Sequence, residues 1–102
     1  FSGGPSRRLT VADIQKEVET FFKVSHADLV GKKRTRNIIY ARQIAMYLSR
    51  QILEMPFNDI GKKFNRDHST VMYSVTNVEE KMKESRELQE EIEALKQIIR
   101  EI

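Results

Sequence analysis

The 102-residue chain contains no cysteine and no tryptophan, and only two prolines and four glycines. Without cysteine there can be no disulfide, no thiolate metal site and no cysteine nucleophile, and this composition fits a reducing cytosol. No apolar run approaches the roughly 18 residues that span a bilayer. A glycine-rich phosphate loop is also missing, which removes nucleotide hydrolysis from this stretch of sequence. The length leaves room for one small domain of the usual size, about 100–150 residues, and not for a second catalytic module. A chain of this size buries about two-thirds of its unfolded surface, so the core is modest. Charge is what the sequence has in quantity, with 18 Lys/Arg against 15 Asp/Glu. With 39% hydrophobic residues, among them five phenylalanines and three tyrosines, the chain is too apolar for a disordered tail.

The charge is unevenly distributed. Residues 1–78 hold thirteen Lys/Arg and seven Asp/Glu, a net of +6, whereas residues 79–102 hold five and eight, a net of −3. A basic body with an acidic end implies a surface that faces a polyanion and a solvated helix that points elsewhere.

Local signals divide the chain into helices. Residues 1–8, which include the Gly/Ser/Pro-rich run FSGGPS, read as a linker or leader, and the domain is expected over 9–102. Thr10 and Asp13 form a capping-box pattern, followed by Val11, Ile14 and Val18 at helical spacing. Ser25 caps a very short helix that Gly31 stops. Lys32, Lys33, Arg34, Thr35 and Arg36 then form an exposed basic loop. Asn37 is the expected cap of a third helix reaching about Leu53, with Ile44, Leu48 and Ile52 as its buried stripe. Pro56 breaks it. Phe57 to Phe64 makes one or two turns with Ile60 and Phe64 inward, and a fifth helix runs from about Asp67 to Met82. Ser85 caps a long last helix whose Leu88, Ile92, Leu95, Ile99 and Ile102 alternate spacings of four and three. No segment reads as a strand. The expected class is all-α, about six helices around a helix-turn-helix formed by the fourth and fifth.

The fifth helix suggests what the corner could be for. At about 100° per residue, Val71, Val75, Val78 and Met82 define its inward face. Arg66, Ser69, Thr70, Tyr73, Thr76 and Asn77 define the other. Hydroxyl and amide groups of this kind read base edges in the major groove, where a Thr methyl meets a thymine methyl and an Asp accepts from a cytosine amine. Asp67 and His68 fall nearer the core meridian but lie in the first turn, where a helix inserted tip-first brings them to bases; Asp67 is also a plain N-cap. An arginine on the basic loop suits a narrow, A·T-rich minor groove. Arg42, Gln43 and Arg50 on the next helix are expected beside that loop, and Lys62 and Lys63 flank the corner as phosphate contacts. Asp67, His68 and Ser69 are no hydrolase triad, because consecutive helical residues point about 100° apart. His26 and His68 have no neighbouring ligands for a metal, and His26 reads as a surface residue.

The string from Ile60 to Val71, Ile-Gly-Lys-Lys-Phe-Asn-Arg-Asp-His-Ser-Thr-Val, resembles the hallmark of the DnaA family of bacterial chromosomal replication initiators. The run from Lys32 to Arg36 and the run Ala41-Arg42-Gln43-Ile44-Ala45-Met46 resemble that family's basic loop and following helix. The likeness covers about Leu9 to Ile102 and aligns with the C-terminal DNA-binding domain. It implies binding to a short DnaA box at the replication origin. Arg34 would contact bases in the minor groove, with Arg36 and Lys33 beside it. Asp67, His68 and Thr70 would contact bases in the major groove, Ser69 would sit on the backbone, and Arg42, Gln43, Arg50, Lys62, Lys63 and Arg66 would hold or support the backbone contacts. The family's ATPase module, with its ATP and magnesium, would lie upstream, so this stretch is expected to be no enzyme and to need no cofactor. Three positions depart from the pattern. Asn65 stands alone where two glycines are common, Tyr40-Ala41 replaces Arg-Pro, and Phe57-Asn58 replaces Leu-Pro.

The resemblance implies a cytoplasmic, nucleoid-associated monomeric domain whose partner is double-stranded DNA, with replication regulators and acidic phospholipids as further candidates. Three other readings compete. The chain could be the same kind of module in another protein such as a transposase, or a basic binder of anionic membranes. The apolar seam of the last helix could be a coiled-coil interface, although covering its own core is the expected use.

Overall fold

The computed structural model describes residues 9–101, so the leader expected at 1–8 and Ile102 lie outside the described residues. Six helices follow in order: α1 (Val11–Phe22), α2 (His26–Val30), α3 (Arg36–Leu53), α4 (Phe57–Phe64), α5 (His68–Glu84) and α6 (Arg86–Arg100). No strand occurs among the described residues. The all-α class and the helix-turn-helix of α4 and α5 are as the sequence implies.

The helix starts are set by short polar side chains. Thr10 and Asp13 close a reciprocal capping box, the Thr10 amide donating to the Asp13 carboxylate at 2.9 Å. Ser25, Asp67 and Ser85 each accept an amide N–H three residues on, capping α2, α5 and α6. The third helix departs from expectation. Its N-cap is Thr35, which makes no side-chain cap bond, while Asn37 lies inside the first turn. There Asn37 donates to the Phe22 carbonyl at 3.2 Å and ties the start of α3 to the end of α1. An orphan carbonyl at a helix end competes for that amide.

Helix α3 is the hub. It packs on α1, α2, α4 and α5, and is buried more widely than its Ile44–Leu48–Ile52 stripe. Ile38, Ala41, Ala45, Met46, Tyr47 and Ser49 are also inside, whereas Ile52 is half-buried. Ile14, Leu29, Ile60, Phe64 and Val71 surround it, all fully enclosed. Each such side chain contributes roughly 1.5–3 kcal/mol by leaving water. Helix α6 lies along α1 and α5, and Leu88, Ile92, Leu95 and Ile99 are buried in the domain's own core. The seam from Leu88 to Ile99 is therefore occupied within the chain.

The corner between α4 and α5 is three residues long. Asn65 adopts the left-handed conformation (φ 57°, ψ 44°), and the Arg66 amide closes the helix end on the Gly61 carbonyl at 2.9 Å. Asparagine tolerates that region better than most residues, so a single Asn replaces a glycine pair without breaking the turn. Gly61 is required by proximity, since a Cβ there would collide with the Arg66 carbonyl oxygen.

Candidate nucleic-acid interface

The basic loop and the first turn of α5 lie side by side because three arginine and asparagine side chains fasten them. Arg42, on the second turn of α3, is 6% exposed. Its Nε donates to the Leu29 carbonyl at 2.7 Å, and its Nη2 donates to the carbonyls of Asp28 at 2.8 Å and Lys33 at 3.0 Å. Arg66 donates to the carbonyls of Gly31, Phe64 and Asn65, and the Asn65 amide donates to the Val30 carbonyl at 3.1 Å. The end of α2, the loop and the helix corner thus form one hydrogen-bonded frame. Arg42 and Arg66, expected among backbone or supporting contacts, have these donors engaged with the protein's own carbonyls.

Within the frame the remaining cations point outward. Lys32, Lys33, Arg34 and Arg36 are exposed, and of these only Lys33 has an acidic neighbour among the described residues, Asp28 at 3.8 Å. Burial first, then the nearby Arg66 and Arg34 guanidiniums, lowers the pKa of Arg42 from its ordinary value, with Asp28 opposing. Arginine stays charged in spite of this. The loop is therefore a focus of positive charge with little internal compensation.

On α5, Asp67 is the N-cap and His68, Ser69 and Thr70 occupy the first turn, all four exposed. The helical wheel puts Asp67 and His68 nearer the core meridian; the structure presents both to solvent, Asp67 as the N-cap and His68 as the first residue of α5. Asp67 accepts from the Thr70 amide at 2.9 Å. That bond, with a lesser contribution from the Thr70 side chain, holds its carboxyl below the ordinary carboxylate value. Thr70 shares a cleft of about 590 Å³ with Arg34 from the loop and Gln43 from α3. A shallower hollow joins Lys62 to Asp67 and His68. Lys62 and Lys63 are exposed on the last turn of α4.

Arg50 is not beside the loop. It stands fourteen residues beyond Arg36 in sequence, about 21 Å along the helix axis at 1.5 Å per residue. There its Nη1 donates to the Met55 carbonyl at 2.8 Å and its guanidinium lies 4.5 Å over the Phe57 ring. Phe57, at one of the departures from the hallmark pattern, thus holds the α3–α4 corner. At a second of the three departures, Tyr40 donates to Glu91 at 2.5 Å and packs edge-on against Phe22. Burial, then the Glu91 bond and the charges of Glu91 and Glu87, raises its pKa, so the hydroxyl keeps its proton.

The sequence did not reveal three further features. Asn77, placed on the outer face of α5, is half-buried and donates to Gln43 at 2.9 Å. Met72 is 46% exposed beside Tyr73 at 65%, and Ser74 is buried at the cleft floor. No cluster of three or more metal-ligating side chains occurs among the described residues. His26 is exposed and pairs with Glu19 at 2.7 Å. No helix among the described residues is long and apolar enough to cross a membrane.

The family model described as bacterial dnaA protein helix-turn-helix matches residues 11–78. The chain is 43% identical over 101 residues to the chromosomal replication initiator protein DnaA of Rhizobium meliloti (strain 1021), covering 98% of this chain and 21% of that protein. It is 42% identical over 99 residues to the corresponding protein of Rhizobium johnstonii, covering 96% and 20%. It is 44% identical over 89 residues to that of Lactococcus lactis subsp. cremoris, covering 86% and 20%. The chain spans about a fifth of the length of these relatives.

Proposed function

The chain belongs to the bacterial DnaA helix-turn-helix family, and from that premise we propose that it binds double-stranded DNA sequence-specifically, at DnaA-box sites of a replication origin. The matched part of the family is its helix-turn-helix and not a nucleotide hydrolase, so the activity is recognition without catalysis. Helix α5 enters the major groove with Asp67, His68 and Thr70 at base edges. Arg34 enters the adjacent minor groove, with Arg36 and Lys33 beside it. Lys62, Lys63 and Ser69 meet phosphates. Arg42 and Arg66 support this arrangement through the carbonyls they hold.

The observation that carries this reading is the shared cleft of Arg34 and Thr70, with both its walls fixed by one hydrogen-bonded frame. A base-reading helix and a minor-groove arginine must keep a constant separation to read a site in register. Phosphate contacts alone bind any duplex, whereas base contacts discriminate.

The test is a fluorescence-anisotropy titration of a labelled DnaA-box duplex and a shuffled duplex across a salt series. Base readout predicts at least about a hundredfold tighter binding to the box, with the preference surviving higher salt. Arg34→Ala should weaken the box by about 1–3 kcal/mol and narrow the gap to the shuffled duplex. Equal loss on both duplexes would make Arg34 a phosphate contact only. Equal wild-type affinities that fall together with salt would leave the basic surface acting alone.

A further inference from the structure

Adjacent minor and major grooves of a duplex are divided by one sugar-phosphate strand. If Arg34 lies in the one and the tip of α5 in the other, that strand must cross the surface between them. The surface between them is the cleft. We infer that this cleft seats the dividing strand, that Tyr73 donates a hydrogen bond to one of its phosphates, and that Asn77 turns the Gln43 amide to donate to the same strand. The inference rests on the groove placement proposed above.

Three observations support it. Tyr73 is the most exposed large apolar side chain among the described residues, at 65%, and it lines the cleft three residues beyond Thr70 on α5. Its hydroxyl has no protein partner among the described residues. An exposed aromatic with a free donor at its tip suits a site that is apolar at one end and anionic at the other. Second, a phosphate oxygen accepts and never donates, so a glutamine serves it only through its NH2 group. The Asn77 Nδ2 donates to the Gln43 Oε1 at 2.9 Å. This occupies the oxygen of Gln43 and leaves its amide nitrogen for the cleft. Third, Ser74 at the cleft floor is 3% exposed, and its hydroxyl has no partner among the described residues. A buried hydroxyl without a partner calls for one from a ligand or its water.

The experiment uses the whole chain, the box and shuffled duplexes, and Tyr73→Phe, which removes one exposed hydroxyl and leaves the fold intact. We expect Tyr73→Phe to weaken binding roughly three- to tenfold on both duplexes. The salt slope should not change, because a neutral group displaces no counterion. A methylphosphonate is then placed at each position of the dividing strand in turn. At the contacted phosphate, wild type and Tyr73→Phe should bind equally. For Asn77 the readout is a double-mutant cycle. Asn77→Ala should weaken binding in the wild type and add nothing in Gln43→Ala, whereas a purely structural asparagine would act in both backgrounds. Unchanged affinity of Tyr73→Phe, or a deficit that persists at every methylphosphonate position, overturns the strand seat. A wild type without preference for the box would overturn base readout while leaving this comparison intact on both duplexes. A wild type that binds neither duplex overturns both.

Discussion

Replacing Arg42 by methionine should loosen the interface from within. Arg42 is 6% exposed and donates to three backbone carbonyls, two at the end of α2 and one in the basic loop. Methionine fills much of the same volume and donates to none of them. A hydrogen bond from a charged donor contributes about 1.5–3 kcal/mol, and an acceptor left buried without a partner costs about 1–3 kcal/mol. The Asp28 and Lys33 bonds are only partly buried, so water can replace much of their contribution. Removing a largely buried cation also relieves its desolvation and its repulsion with Arg34 and Arg66. The balance is a loss of about 2–4 kcal/mol. In a domain of this size that lowers Tm by about 10–20 °C, read by circular dichroism. Arg42→Lys is the sharper variant, since it keeps the charge and loses the planar fork. It should destabilise by about 1–2 kcal/mol and reduce the box preference in the anisotropy titration, because the loop carrying Arg34 is no longer held. A Tm within about 3 °C of wild type for Arg42→Met would show that the frame does not depend on these bonds. Full affinity and preference in Arg42→Lys would show that Arg42 acts through its charge alone.

Lys62→Ala should weaken binding on every sequence and flatten the salt dependence by about one unit of slope; an unchanged slope removes Lys62 from the interface. Val75→Asp places an unpaired charge at a position only 4% exposed, at several kcal/mol against a total stability of about 5–15 kcal/mol. It should abolish the cooperative melt, and an unaltered midpoint would show that the inward face of α5 is wrongly identified. Asp67 has a depressed pKa in the fold. Its contribution is therefore present above the unfolded value and lost as pH falls through the folded one. The Tm advantage of wild type over Asp67→Asn, which keeps a cap without the charge, should shrink on acidification; an advantage that persists at about pH 2 refutes this cause.

The fold was legible wherever one residue type has one local use. Thr10, Ser25, Asp67 and Ser85 cap helices in any context, and Val71, Val75 and Val78 repeat at helical spacing. All of them stand where those rules put them. Asn65 was readable as a left-handed turn for the same reason. The arginines were not. Arg42, Arg50 and Arg66 carry the same charge as Arg34, and nothing local distinguishes a guanidinium left exposed from one destined for carbonyls. Their acceptors lie up to 35 residues away in sequence and meet only after packing. The partners of Asn37 and Asn77 were hidden likewise, since the Phe22 carbonyl and the Gln43 amide approach them through tertiary contact. Local rules describe the outline of the site, and long-range bonds decide which of its cations are free.

The bonds that fasten the loop all end on main-chain oxygens, at Asp28, Leu29, Val30, Gly31 and Lys33. Such acceptors are indifferent to the side chains they carry. Apart from Gly31, where a Cβ would collide with the Ala27 carbonyl, and Leu29, whose side chain is enclosed in the core, these positions can drift by mutation and still be gripped. On the proposed reading, a lineage could therefore retarget the loop one substitution at a time, changing which letters it prefers while inheriting the spacing between loop and helix unaltered.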